Sequence, residues 1–265
     1  MKQICAAFAL GAAILGGMDG AHAQTDARVA DLLKAGKLRV GLGLGSPVLA
    51  VKDAASGEVR GPALEMGRAL AKRIGVEFVG VEYPRPGAVL EGAKKGAWDV
   101  AFLVVDPERA KEADFAPPHM QSDFTYLVAR GSSLAKAADA DRPGVRIAVP
   151  KGDASDLLLT RMLKNAELVR TDTIAAAAEL LRAGSVQAQA APRPVLMAES
   201  TKVPGSRVLG DGFAVISFAA LVPKGHPGRL AYVSEFVEDA KASGLVSRII
   251  RDAGLRGVQV APAAR

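Results

Sequence analysis

Apolar residues along this chain switch repeatedly between two periods. Val29, Leu32 and Leu33 share a helical face within residues 28–35, and Leu38-Arg39-Val40-Gly41-Leu42 then reads as a strand. Pro62 suits a first helical position, Leu64, Gly67, Ala71 and Ile74 recur near the helical period, and Gly75 stops that helix. Residues 76–83, rich in Val and aromatics, predict a strand, and Val89, Ala93 and Ala97 predict a helix. Residues 100–105 are continuously apolar, as expected of a parallel strand covered on both faces. A second series starts after Pro143-Gly144: a strand over 145–149, a turn at Lys151-Gly152-Asp153-Ala154-Ser155, and a helix through Leu157, Leu158 and Met162. Ile174, Ala177, Ala178 and Leu181 predict a further helix, followed by a strand over 186–190. Two stripes, one through Leu230, Val233, Val237 and Ala240 and one through Val246, Ile249, Ile250 and Ala253, predict helices near the end. Residues 258–265 read as a loose end.

Strands alternating with helices predict an α/β architecture. The two similar series predict two lobes: 24–123 with 218–265, and 124–217. Extended stretches at 125–129 and 214–223 are the candidate crossovers between them. In open α/β sheets ligands bind at the carboxyl ends of strands. The run Asp106-Pro107-Glu108-Arg109 follows the apolar strand, so Arg109 stands where an anion would be met.

Composition narrows the classes. Met1-Lys2-Gln3 is a basic start, residues 4–17 are apolar and small, and Ala21-His22-Ala23 fits a cleavage site before Gln24. Residues 1–23 therefore read as a signal peptide and the protein as periplasmic; the competing reading is a buried N-terminal helix. Cys5 is the only cysteine and would leave with the signal, which excludes disulfides, thiolate metal sites and cysteine nucleophiles from the mature chain. The net charge of +6 is scattered, without a Lys/Arg run, and gives little support to nucleic-acid binding.

Several motifs in order resemble one family. They are Gly36-Lys37-Leu38-Arg39-Val40-Gly41, Gly57 and Gly61 before Glu65, Gly96-Ala97-Trp98-Asp99-Val100, Glu108-Arg109 and Asp114-Phe115-Ala116-Pro117-Pro118. Val149-Pro150-Lys151-Gly152 and Val222-Pro223-Lys224-Gly225-His226-Pro227 complete the set. Together they resemble the extracytoplasmic solute-binding proteins of ABC importers, family 3, which includes polar amino-acid binders. The resemblance implies a two-lobed periplasmic-binding-protein fold of type II, hinged by two crossovers. It also implies a monomer that captures a small molecule and hands it to a membrane ABC permease.

In that family the arginine matching Arg109 grips a ligand carboxylate through paired hydrogen bonds; the alternative is a surface arginine paired with Glu108 or Asp106. Asp153, Ala154 and Ser155 open a helix whose amides suit an anion, or Asp153 and Ser155 simply cap it. Three departures bear on the ligand. Val104, within Leu103-Val104-Val105, stands where a hydroxyl residue is usual. Pro192 stands where an acid would meet a ligand ammonium. Leu49, within Pro47-Val48-Leu49-Ala50-Val51, stands where an aromatic would stack. These departures argue against a standard α-amino acid and favour a carboxylate or other small anion, the more so if Arg193 faces the cleft.

Other chemistry finds less support. Gly41-x-Gly43 is a partial dinucleotide fingerprint whose third position is Ser46. His119 and His226 form no metal cluster, although His119 falls where a cleft-edge aromatic is common; no metal or cofactor is expected. Two alternatives to transport remain. One is a periplasmic dehydratase acting on cyclic carboxylates, with Asp153 or Asp106 as general acid; the other is a ligand-sensing module for a membrane receptor.

Overall fold

The computed structural model describes residues 26–264, so the expected signal peptide and the expected cleavage after Ala23 lie outside the described residues. Among the described residues the strands are β1 (Lys37–Gly43), β2 (Val51–Lys52), β3 (Val59–Arg60), β4 (Glu77–Tyr83), β5 (Val100–Val104) and β6 (Ala113–Val128), then β7 (Arg146–Pro150), β8 (Glu167–Thr171), β9 (Ala188–Pro192), β10 (Arg207–Val208), β11 (Ala214–Pro223) and β12 (Gln259–Val260). The helices are α1 (Ala30–Ala35), α2 (Pro62–Ile74), α3 (Val89–Ala93), α4 (Pro107–Ala110), α5 (Ala154–Met162), α6 (Ile174–Arg182), α7 (Arg193–Ser200), α8 (Pro227–Ala242) and α9 (Leu245–Asp252).

The fold is α/β and two-lobed. One half of the sheet runs β4-β1-β5 in parallel, the other β9-β7-β8 in parallel, and the long antiparallel pair β11 and β6 lies between them. β6 and β11 are the crossovers; β11 has the expected bounds, whereas β6 is much longer than the expected 125–129. β6 begins at Ala113, so Asp114 to Pro118 belongs to the strand rather than to a loop before it. Proline has no ladder N–H and is tolerated in a strand only at edges or bulges. The pairing with β11 accordingly slips on either side of Ala219, which faces Pro118.

The element ends follow local rules. α2 starts with Pro62 at its first position and ends at Gly75, whose positive φ and N–H bonded to Ala71 O form a left-handed cap. α6 is capped by Thr173, whose hydroxyl accepts from Ala176 N. Two expectations need correction, and one helix is new. The helix through Val89 stops at Ala93, because the chain turns at Gly96, and Ala97 lies outside it. Residues 193–200 form α7 directly after β9, a helix that the apolar spacing does not predict. The terminal segment is no loose end: β12 pairs with β6, and Ala261 N donates to His119 O.

A single large core joins α2, α8 and α9 to the strands through residues such as Leu38, Val40, Leu70, Trp98, Phe218 and Val233. A smaller core on one face of the second lobe gathers Tyr126, Ile147, Val149, Leu159 and Leu209. Their effect on function is positional: the carboxyl ends of β4 and β5 face the turn after β7 across a narrow cleft.

Candidate functional site

Asp106-Pro107-Glu108-Arg109 folds as a one-turn helix at the end of β5. Pro107 takes its first position, and the Asp106 carboxylate caps it by accepting from Glu108 N at 2.8 Å. That turn swings Arg109 inward, where it is 1 % exposed. Its Nη1 donates to Val104 O at 3.2 Å, its Nη2 donates to Gly152 O of the opposite lobe at 3.4 Å, and its Nε has no partner. Among the described residues no carboxylate oxygen lies within 4.0 Å of it. Burial pushes the guanidinium pKa down, opposed by the charges of Asp153 and Asp106. The surface pairing with Glu108 or Asp106 is not seen.

Arg109 lines a cavity of about 30 Å³, room for two waters or so unless the lobes part. Its walls are largely apolar: Leu49, Val104, Phe124, Ile174, Pro192 and Phe218. Ser46, Asp153 and Ser155 add polar side chains to that lining, and Ala154 lies beside them.

Asp153 occupies the N-cap position of α5, yet its side chain makes no capping bond. Instead, Oδ1 reaches across the cleft and accepts from Gly87 N of the first lobe at 2.9 Å. The turn's own amide, Gly152 N, is satisfied by Asp156 Oδ2 at 2.8 Å. Asp153 is 7 % exposed, and its pKa is raised by burial, with the charge of Arg109 opposing. No acid stands at 187–193, but the turn before α5 brings Asp153 into the cavity that holds Arg109.

Gly87 is one of the points where the lobes touch. A Cβ there would lie 2.8 Å from Gly152 O and 3.0 Å from Asp153 Oδ1. Sequence reasoning missed it, although Pro84-Arg85-Pro86-Gly87 is a turn at the carboxyl end of a parallel strand. The contributions of Phe124 and Phe218 were missed as well; both come from the crossover strands, whose positions are set by pairing rather than by local pattern.

Two expected site residues are elsewhere. Arg193 turns away from the cavity: its Nε donates to Asp123 Oδ1 at 2.8 Å and its Nη1 to Leu209 O at 2.8 Å, fastening α7 to β6. Asp106 does not line the cavity; one oxygen caps α4 and the other accepts from Arg161. His119 is not at the cleft edge. It is 1 % exposed and edge-on to Phe102, and burial lowers its pKa to about 3.

Known proteins share this architecture. The model of the bacterial extracellular solute-binding proteins, family 3, matches residues 38–253. The glutamine-binding protein of Geobacillus stearothermophilus is 24% identical over 186 residues, 68% of this chain and 70% of that protein. The ABC transporter glutamine-binding protein of Bacillus subtilis strain 168 is 21% identical over 220 residues, 81% of this chain and 80% of that protein. Among solved structures, an ancestral amino acid-binding protein described as a precursor of cyclohexadienyl dehydratase superposes with a TM-score of 0.75 at 24% identity, covering 86% of this chain and 99% of that one.

Proposed function

The chain belongs to family 3 of the bacterial extracellular solute-binding proteins, and from that premise we propose that it captures a compact, zwitterionic, amino-acid-like solute between its lobes and delivers it to an ABC importer. One observation carries the solute class. Arg109 and Asp153 are both buried in one cavity and make no ion pair with each other. Each unpaired buried charge costs several kcal/mol, and a zwitterion neutralises both at once. The carboxylate meets Nε and the Nη atoms of Arg109; the ammonium meets Asp153. Closure of the lobes takes both contacts out of water and strengthens them.

The apolar lining and small volume favour a short, unbranched or lightly branched apolar side chain. The relatives named for glutamine binding agree with the amino-acid class and differ in the side chain. The lobes divide within β6 and β11, near 123/124 and 217/218, and the protein acts in the periplasm after cleavage following Ala23. It acts as a monomer, in keeping with only three large hydrophobic side chains exposed among the described residues, Val105, Met162 and Val215. The dehydratase alternative draws no support from Asp106, which is taken up by α4 and Arg161.

The test is isothermal titration of the secreted protein with small neutral L-amino acids and with carboxylic acids of the same carbon skeleton. Binding of the amino acids supports the proposal; binding of the acids alone overturns the role of Asp153.

A further inference from the structure

Among the described residues, four polar contacts span the cleft. Three cluster at the cavity: Arg109 to Gly152 O, Gly87 N to Asp153 Oδ1, and Arg85 Nη1 to Lys151 O at 2.7 Å. The fourth stands apart. Arg161 on α5 donates from Nη2 to Asp106 Oδ2 at 2.7 Å, joining the second lobe to the helix that carries Arg109. Neither residue lines the solute cavity; both border a neighbouring groove that shares Val104, Phe124 and Ala154 with it.

We propose that Arg161 is a positioning residue, a latch whose ion pair with Asp106 sets the balance between open and closed lobes and thereby the apparent affinity, without touching the solute. Asp106 is 4 % exposed and its Oδ2 faces Arg161, whereas Arg161 is 39 % exposed and free to leave. A buried carboxylate with a removable cation suits a reversible contact: opening lets both groups hydrate, and closing restores the pair. Because affinity scales with the closed-competent fraction, a latch outside the cavity tunes every solute alike. The inference does not depend on which solute the cavity takes.

The test uses the secreted protein without residues 1–23, which leaves no native thiol. Nitroxide labels at Lys95→Cys and Asp172→Cys, both exposed and on opposite lobes, report the lobe separation by pulsed electron resonance after solute is removed by unfolding and refolding. The wild-type background is expected to show a short-distance population. Arg161→Ala should lower the closed-to-open ratio by about fivefold, the scale of one partly exposed ion pair. Salt at about 1 M should do the same to the wild type and add little to the variant, because it screens the same pair. Arg161→Lys should recover most of the short-distance population. Identical distance distributions in wild type and Arg161→Ala, or a wild type found only at the long distance in low salt, would overturn the latch. Circular dichroism of each variant separates loss of latching from loss of fold, and the salt response of the wild type stands even if a variant does not fold.

Discussion

Replacing Arg109 by methionine separates a ligand anchor from a structural arginine. The two roles predict opposite changes in stability. Arg109 is 1 % exposed, its Nε is unpartnered, and its two bonds go to carbonyls at 3.2 and 3.4 Å rather than to a carboxylate. Such a buried cation is costly to keep, and an apolar group of similar length is often neutral or stabilising. The solute-free Arg109→Met protein should therefore melt at the same temperature as wild type or a few degrees higher, at about 2–4 °C per kcal/mol for a domain of this size. Binding should collapse. Two charge-assisted hydrogen bonds to a ligand carboxylate at about 1.5 kcal/mol each amount to about 3 kcal/mol, a rise in Kd of at least about 100-fold. Differential scanning calorimetry and titration calorimetry on the same preparations give both numbers. A variant that melts more than about 5 °C lower, or that binds its solute as well as wild type, refutes the argument that this charge is held for a ligand.

Other expectations follow from the same geometry. Asp153→Asn should weaken amino-acid binding by about tenfold or more and improve binding of the matching carboxylic acid, because the repulsion between two carboxylates is gone; unchanged selectivity in titration calorimetry would count against the ammonium contact. Gly87→Ala should fold normally yet bind weakly, since its Cβ would press on Gly152 O at 2.8 Å and hold the lobes apart; full affinity would show that the lobes do not approach at this point. His119 is buried neutral, and its pKa falls from 6.5 to about 3. The unfolded chain thus binds the extra proton, and the stability from a neutral His119 is complete above pH 6.5 and drains as pH falls toward 3. The loss approaches about 1.4 kcal/mol per pH unit. His119→Leu should flatten the fall in melting temperature between pH 6.5 and 4.5; parallel curves would mean that another group dominates.

The parts of the fold legible in the sequence are those whose pattern is local. Pro62 and Gly75 bracket α2 because one lacks an N–H that would be unused and the other accepts a left-handed cap. β5 is an unbroken apolar run because both its faces are covered. What escaped depends on distant partners. β8 is half-exposed at a sheet edge, so its apolar signal is thin. β12 is two residues whose only reason to be extended is the free edge of β6.

The site divides the same way. Arg109 could be placed because strand, proline and arginine sit within ten residues of one another. Asp153 could be placed at the site, but its partner could not: a residue at an N-cap ordinarily caps, and only the approach of Gly87 from the other lobe draws its carboxylate away. Arg193 was misjudged for the converse reason. It starts α7 rather than ending in the cleft, and Asp123 on β6 claims it.

The most direct test of the central claim is titration of the secreted protein with alanine, propionate and ethylamine side by side. The three separate the zwitterion from each of its charges on one small skeleton. Paired use of Arg109 and Asp153 predicts binding of alanine with Kd values for the other two at least about 100-fold weaker. Propionate binding as tightly as alanine would contradict it, leaving Arg109 as a lone anion site and Asp153 as a closure contact only.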